Sequence, residues 1–227
     1  MTPPIPFPFT LLTEPASVAA VEAGCQFGYC YGGDWVQGYV GNYGMEFDGT
    51  DEYITTPTAT DIEFGNDSTF TIACWVSSSQ GSLQGFVSKA TQALPNNNGW
   101  NMGRTMASAF GSDNVFFASV RSGTNYGFIF SDAAIDDGWH HVAFTRNGST
   151  SGNTILYIDG VAQADTTMGG GAGSNPSNLT DSGTSMLVGR YWDQATGYNL
   201  DGKIDEVAVW NVPPPGIVTG KLHQYII

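Results

Sequence analysis

STFTIACWV, residues 68–76, decides the fold class. Phe70, Ile72, Cys74 and Val76 fall on one side of an extended chain, and Thr71, Ala73 and Trp75 fall on the other, because successive strand side chains point to opposite faces. Both sides are apolar enough to be covered. The same period of two recurs over residues 115–120, 126–130, 139–145, 154–158, 186–189 and 204–210, and no long helical period interrupts it. Seven such strands predict an all-β protein, a two-sheet antiparallel β-sandwich.

Punctuation along the chain agrees. The 30 glycines recur in turn-like groups such as GGD, DGT, GSL, NNNG and GGGAG. In LYIDGV, residues 156–161, Asp159-Gly160 is a dipeptide that accepts positive φ at both centres of a type I′ hairpin turn. Residues 165–185, DTTMGGGAGSNPSNLTDSGTS, carry little apolar payload and read as one long surface loop. Both ends depart from this pattern. TPPIPFPF at 2–9 predicts an extended, polyproline-like arm, and VPPP at 212–215 ends the last strand. The organisation expected is an N-terminal arm and extension over 1–39, the sandwich over 40–212 and a tail over 213–227. Apolar arms are commonly ordered by a neighbouring subunit, which makes Phe7, Phe9, Tyr225 and Ile226 candidate assembly contacts; folding back on the same domain is the alternative.

Seven basic against 21 acidic side chains leave a net charge of −14. That balance argues against nucleic acid, whose affinity rests on neutralising phosphates. No apolar run reaches the roughly 18 residues of a membrane helix, and the Pro-rich opening has no basic n-region, so neither membrane insertion nor a signal peptide is expected. Only 12% of residues are charged, about half the usual share; an uncharged polar surface of this kind suits an extracellular or particle-exterior protein. Cys25, Cys30 and Cys74 form no CxxC pair. A Cys25–Cys30 disulfide and three reduced thiols, with Cys74 in a core strand, both fit.

Four segments in order, GMEFDGTDEYI (44–54), STFTIACWV (68–76), DGWHHVAFTRNG with LYIDGV (137–161) and LVGR with LDGKIDEVAVWN (187–211), resemble a laminin G-like domain of the concanavalin A-like lectin and glucanase jelly-roll class. The resemblance covers roughly residues 40–212 and implies two curved antiparallel sheets with a concave face. Within DGWHHVAFT, Trp139 and His141 should face one way and His140 and Val142 the other; adjacent strand histidines diverge and cannot share one ion unaided.

Many relatives hold calcium at the sandwich edge, so the resemblance raises calcium as a candidate cofactor. Asp48 and Asp51 in the turn FDGTDE, with Asp205, supply candidate oxygens; hydrogen bonding of Asp205 to backbone or Arg fits equally. Some relatives are glucanases with a catalytic strand ExDxxxE, and residues 46–52 match its spacing. The turn Asp48-Gly49-Thr50 interrupts that strand, however, and separates Glu46 from Glu52, so no catalytic residues and no enzyme activity are expected. Glycan contact is the family-derived expectation, through Trp100 after NNNG, Tyr126 in TNYGF, and Tyr191, Trp192, Asp193 and Tyr198 in RYWDQATGYN. Phage particles also use laminin G-like domains, which implies a non-catalytic virion decoration or fibre component. Such a component would attach to other virion proteins or copies of itself through the arms and touch cell-surface glycans through the loops. A free extracellular lectin module is the alternative, and a glucanase-like glycoside hydrolase a further one.

Overall fold

The stretch that carries the alternation forms a ten-residue strand, Thr69–Ser78, buried along both sides. The computed structural model describes residues 10–12, 29–31, 34–36, 44–56, 62, 64, 69–91, 97–105, 114–123, 125–148, 154–164, 179, 183–191 and 198–210. Among them, one sheet contains β1 (Thr10–Leu12), β3 (Asp34–Val36), β4 (Gly44–Asp48), β6 (Thr69–Ser78), β11 (His140–Asn147), β12 (Thr154–Ile158), β13 (Val161–Ala162) and β15 (Asp201–Trp210). Its order is β13-β12-β11-β6-β15-β4-β3, with β1 running parallel beside β15. The other contains β2 (Tyr29–Tyr31), β5 (Tyr53–Thr55), β7 (Gln84–Ala90), β8 (Asn97–Arg104), β9 (Phe116–Gly123), β10 (Asn125–Phe130) and β14 (Leu187–Val188), in the order β10-β9-β8-β7-β14-β5-β2. Every pairing but that of β1 is antiparallel.

A single apolar cluster fills the space between the sheets. Phe70, Ile72, Cys74 and Val76 of β6 meet Trp100, Met102, Phe116, Ala118 and Val120 of β8 and β9. Phe70 stacks on Phe64 at 4.3 Å and takes the edge of Phe144 at 5.8 Å. The opposite side of β6 is also covered: Ala73 joins Ala143, Tyr157, Ala208 and Trp210 in a second cluster. Cys74 is completely buried, which pushes its thiol far above the usual range and keeps it an inert core residue.

The histidine pair divides as the alternation requires. His141 is buried on the outer side, edge-on to Trp75 at 5.2 Å. His140 turns inward toward Phe116, with Nδ1 2.8 Å from Asp159 and Nε2 3.0 Å from Asp136. Asp136 is held below the usual carboxylate range by the Gly138 N–H first and by His140 second. Beside it, the buried Arg104 guanidinium donates to Ser78 O, Ile135 O, Asp136 O and Asp137 Oδ1, tying the turn before β11 to the end of β6. The hairpin turn is as expected, with Asp159 at φ 51° and Gly160 at φ 78°.

Three features depart from the sequence reading. Residues 1–39, read as an arm and extension, contribute β1, β2 and β3 to both sheets. A truncation through residue 12 would therefore remove a strand of the sandwich. β7 and β8 were hidden by their glycines: at Gly99, φ is +111° and an added Cβ would lie 1.9 Å from Lys89 O, so the residue is glycine because the neighbouring backbone passes there, not because the chain turns. Trp100, read as a glycan contact, follows it on β8 with its side chain in the core, 2% exposed, so its ring is not presented at the surface. Finally, β15 bulges between Asp205 and Ala208, with Glu206 at φ 49° and its N–H donated to Asp205 Oδ1.

Truncating Trp100 to Ala should cost about 3–5 kcal/mol, the range for large core aromatics, read from the urea midpoint at constant slope. Burial first, and Asp205 second, push the Glu206 carboxyl above its usual value. A raised acid favours the fold when protonated and loses that contribution as pH rises through its folded-state value. The melting-temperature difference between Glu206→Gln and the parent should therefore widen from about pH 4 to about pH 7, in a thermal-melt series; a constant difference would contradict the assignment.

Candidate functional site

The outward side of the seven-stranded sheet collects polar and aromatic residues through strand parity alone. On β9 the core takes Phe116, Ala118 and Val120, so Phe117, Ser119 and Arg121 face outward. Register then builds two rows. Ser88, Asn101, Ser119 and Phe128 lie across β7, β8, β9 and β10, and one step along Arg121 opposes Tyr126. Ser119 Oγ donates to Asn101 Oδ1 at 2.7 Å, while Ser88 Oγ donates to Arg190 O at 2.8 Å. Asn101 Nδ2 is buried without a hydrogen-bond partner among the described residues. The Arg121 guanidinium lies over Tyr126 at 5.3 Å and Phe128 at 5.2 Å, with Nη2 3.5 Å from Tyr191 Oη.

Tyr191 and Tyr198 reach this face because Gly85 lets their segment approach. An added Cβ at Gly85 would lie 2.2 Å from Tyr191 N, and the Gly85 N–H donates to Tyr198 O at 3.1 Å. Tyr191 packs edge-on to Phe117 at 5.6 Å and to Tyr198 at 6.0 Å. Burial pushes its phenol upward, opposed by Arg121. Tyr126 is half-buried and Tyr198 is 36% exposed, so these two rings form the accessible rim above Arg121. Charge is divided between the sheets as well. The seven strands of this sheet contain no Asp or Glu, whereas the other carries Asp34, Glu46, Asp48, Asp201, Asp205 and Glu206.

Of the residues named from sequence, Tyr126, Tyr191 and Tyr198 come together here. Trp192 and Asp193 lie outside the described residues, as do Phe7, Phe9, Tyr225 and Ile226. Arg121, Asn101, Ser119, Ser88 and Gly85 were not singled out; the signal that could have found Arg121 is its parity with Phe117 and Ser119 against the apolar set on β9. Asp48, Asp51 and Asp205 are not brought together as one donor set. Asp48 and Asp51 sit on an exposed turn, and Asp48 Oδ1 accepts the Thr50 N–H. The residue opposite Asp48 is Asp201, not Asp205; Asp205 lies four positions along β15, about 13 Å at strand rise, buried and bonded to the Glu206 N–H. Among the described residues no group of three His, Cys, Asp or Glu side chains is placed to share a metal. Glu46 and Glu52 are likewise apart in role: Glu46 on β4 faces Lys203 at 3.7 Å, while Glu52, beyond the turn, accepts the Asp48 N–H at 2.9 Å.

The family model described as the concanavalin A-like lectin/glucanases superfamily matches residues 48–214. No curated protein matches the sequence. Similar solved structures include the binding domain of Paraclostridial Mosquitocidal Protein 1 (TM-score 0.60, 13% identity, 86% of this chain and 46% of that one). The botulinum neurotoxin serotype G binding domain is similar at TM-score 0.61 and 14% identity, over 87% and 46%. Domain 4 of AbnA, an extracellular arabinanase from Geobacillus stearothermophilus solved with arabinotriose, matches at TM-score 0.58 and 16% identity over 84% and 81%. The chain spans about half the length of the toxin binding domains it matches. Among the described residues no helix is long and apolar enough to cross a membrane.

Gly85→Ala should displace the Tyr191–Tyr198 segment from the sheet and destabilise the fold by about 1–3 kcal/mol, as overpacking does. Thermal melting together with Tyr fluorescence checks this; an unchanged melt would mean that the close approach is not a constraint.

Proposed function

The chain belongs to the concanavalin A-like lectin/glucanase superfamily, and from that premise we propose that it is a non-catalytic carbohydrate-binding module whose ligand face is the outward side of the seven-stranded sheet. The observation that carries the reading is the cluster there: two accessible tyrosine rings, Tyr126 and Tyr198, over Arg121, Asn101 and Ser119. Such a combination suits a pyranose, which presents an apolar ring face for aromatic stacking and hydroxyls for fixed donors and acceptors. The arabinotriose-bound arabinanase domain supports it by likeness of fold.

A role without hydrolysis is supported by the residues on the described strands of this face. Glycosidases of the common retaining kind need two carboxyl groups about 5–5.5 Å apart across the scissile bond, and the strands of this sheet offer none. Glu46 and Glu52, the pair with glucanase-like spacing, are held by Lys203 and by the turn backbone. Attachment to the exterior of a phage particle through the terminal segments is the setting we add to this reading. Its test is removal of residues 1–9, which spares β1, followed by scoring of incorporation into particles; retained incorporation would contradict it.

For the binding function itself, the purified protein applied to a glycan array should give hits. Tyr126→Ala should weaken them about tenfold, or ~1.4 kcal/mol, with an unchanged melting temperature. A silent array would overturn the proposal.

A further inference from the structure

We propose that His140, as an imidazolium, is a proton-dependent latch that fastens the segment leading into β11 to the hairpin turn between β12 and β13. Its two ring nitrogens face carboxylates from different parts of the chain. Nδ1 lies 2.8 Å from Asp159 Oδ2, in the turn, and Nε2 lies 3.0 Å from Asp136 Oδ1, in the segment 131–139. An ionised carboxylate only accepts, so each contact needs an N–H on the ring, and only the doubly protonated ring has two. Both carboxylates are also fixed by backbone: Asp159 Oδ1 accepts the His141 N–H at 2.8 Å, and Asp136 Oδ1 accepts the Gly138 N–H at 2.7 Å. Neither acid turns away from the ring without straining a second hydrogen bond.

The other described groups around the ring leave its proton as the variable near neutrality. Phe116 of β9 meets it edge-on at 5.9 Å, and β6 places Val76 opposite His140. From β8, the Arg104 guanidinium stands beside this segment but is engaged by Ser78 O, Ile135 O, Asp136 O and Asp137 Oδ1. Asp132, on the same segment, accepts the Ala164 N–H with both oxygens. Asp136 is held below the usual carboxylate range by the Gly138 N–H first and by His140 second, so it stays ionised above about pH 5. Histidine is the side chain that ordinarily changes charge between about pH 5 and 8. Loss of its proton leaves one N–H for two acids. The Asp159 contact is the shorter, and its carboxylate is 48% exposed against 79% for that of Asp136. The neutral ring therefore keeps Nδ1–H on Asp159 and turns the Nε2 lone pair toward Asp136, which opens the latch on the segment side. Its contribution is present while the ring is protonated and is lost as pH rises.

Two measurements on the intact chain test this. By NMR of protein labelled with nitrogen-15, both ring nitrogens of His140 should be protonated at about pH 5 and Nδ1 alone at about pH 8.5. The Gly138 amide, which shares the Asp136 oxygen, should shift with the same midpoint. Thermal melts of the parent and His140→Gln at constant ionic strength then read the latch itself. The parent's lead at about pH 5, on the order of 2–4 °C for a chain of this size, should fall by at least half at about pH 8.5. Glu206 titrates in both proteins and drops out of the difference. The parent's lead over Asp136→Asn, which keeps an oxygen for the Gly138 N–H, should fall in the same way and replaces the first comparison where the glutamine variant fails to fold. A ring whose protonation is unchanged between the two pH values, a Gly138 amide that does not follow the ring, or a lead that is constant with pH overturns the inference. None of these outcomes bears on carbohydrate binding, which the glycan array tests separately.

Discussion

Two sheets that must each be covered on both sides set the terms for this molecule. Strand β6 shows the constraint most directly: Phe70, Ile72, Cys74 and Val76 fill the space between the sheets, while Ala73 belongs to a second apolar cluster on the outside. When the inner sides are occupied by close-packed aromatic and aliphatic groups, chemistry is possible only where the outer side is polar. On the eight-stranded sheet that side combines the apolar group Ala73, Ala143, Tyr157, Ala208 and Trp210 with buried Thr71, Thr145, His141 and Asp205. On the seven-stranded sheet it carries Ser88, Asn101, Ser119 and Arg121 among tyrosines and phenylalanines. The difference between the two outer faces, rather than any catalytic motif, directs attention to one of them.

Positioning of that face depends on backbone contacts as much as on side chains. Gly85 admits the segment that brings Tyr191 and Tyr198 over the sheet, and the Phe117–Tyr191 contact holds it there. Next to Gly85 across the β7–β8 pair, the Arg104 guanidinium collects three backbone carbonyls and the Asp137 carboxylate. The cost of burying that charge is offset by four acceptors, and it anchors the turn from which β11 begins. Arg104 therefore serves the fold while Arg121, on the opposite side of the same sheet, serves the proposed site.

Much of the sandwich was legible because alternation reports burial wherever one residue in two faces a core. The seven runs read from sequence all contain strands, and Asp159-Gly160 adopts the positive φ values that its turn type requires. β7 and β8 were not legible, since Gly85 and Gly99 look like turn residues and in fact mark places where another backbone crosses or pairs too closely for a side chain. The inward parity of Trp100 on β8 is hidden for the same reason, because Asn96 to Gly99 reads as a turn in the sequence. Tyr126, Tyr191 and Tyr198 stand out in the sequence by their setting among glycines and polar residues. Arg121 escaped notice because a single arginine in SVRSG carries no signal until its parity with Phe117 and Ser119 is known. Asp48, Asp51 and Asp205 looked like a set only because distance along β15 cannot be read without the register.

The central claim is that the outward side of the seven-stranded sheet is where this protein meets its ligand. Hydrogen–deuterium exchange with and without a bound saccharide tests it most directly. The account predicts that added protection concentrates in peptides covering residues 116–130 and 187–200, with little change over 44–56 and 201–210. Protection confined to the Asp48–Glu52 turn and β15, with strands β9 and β10 unaffected, would contradict it.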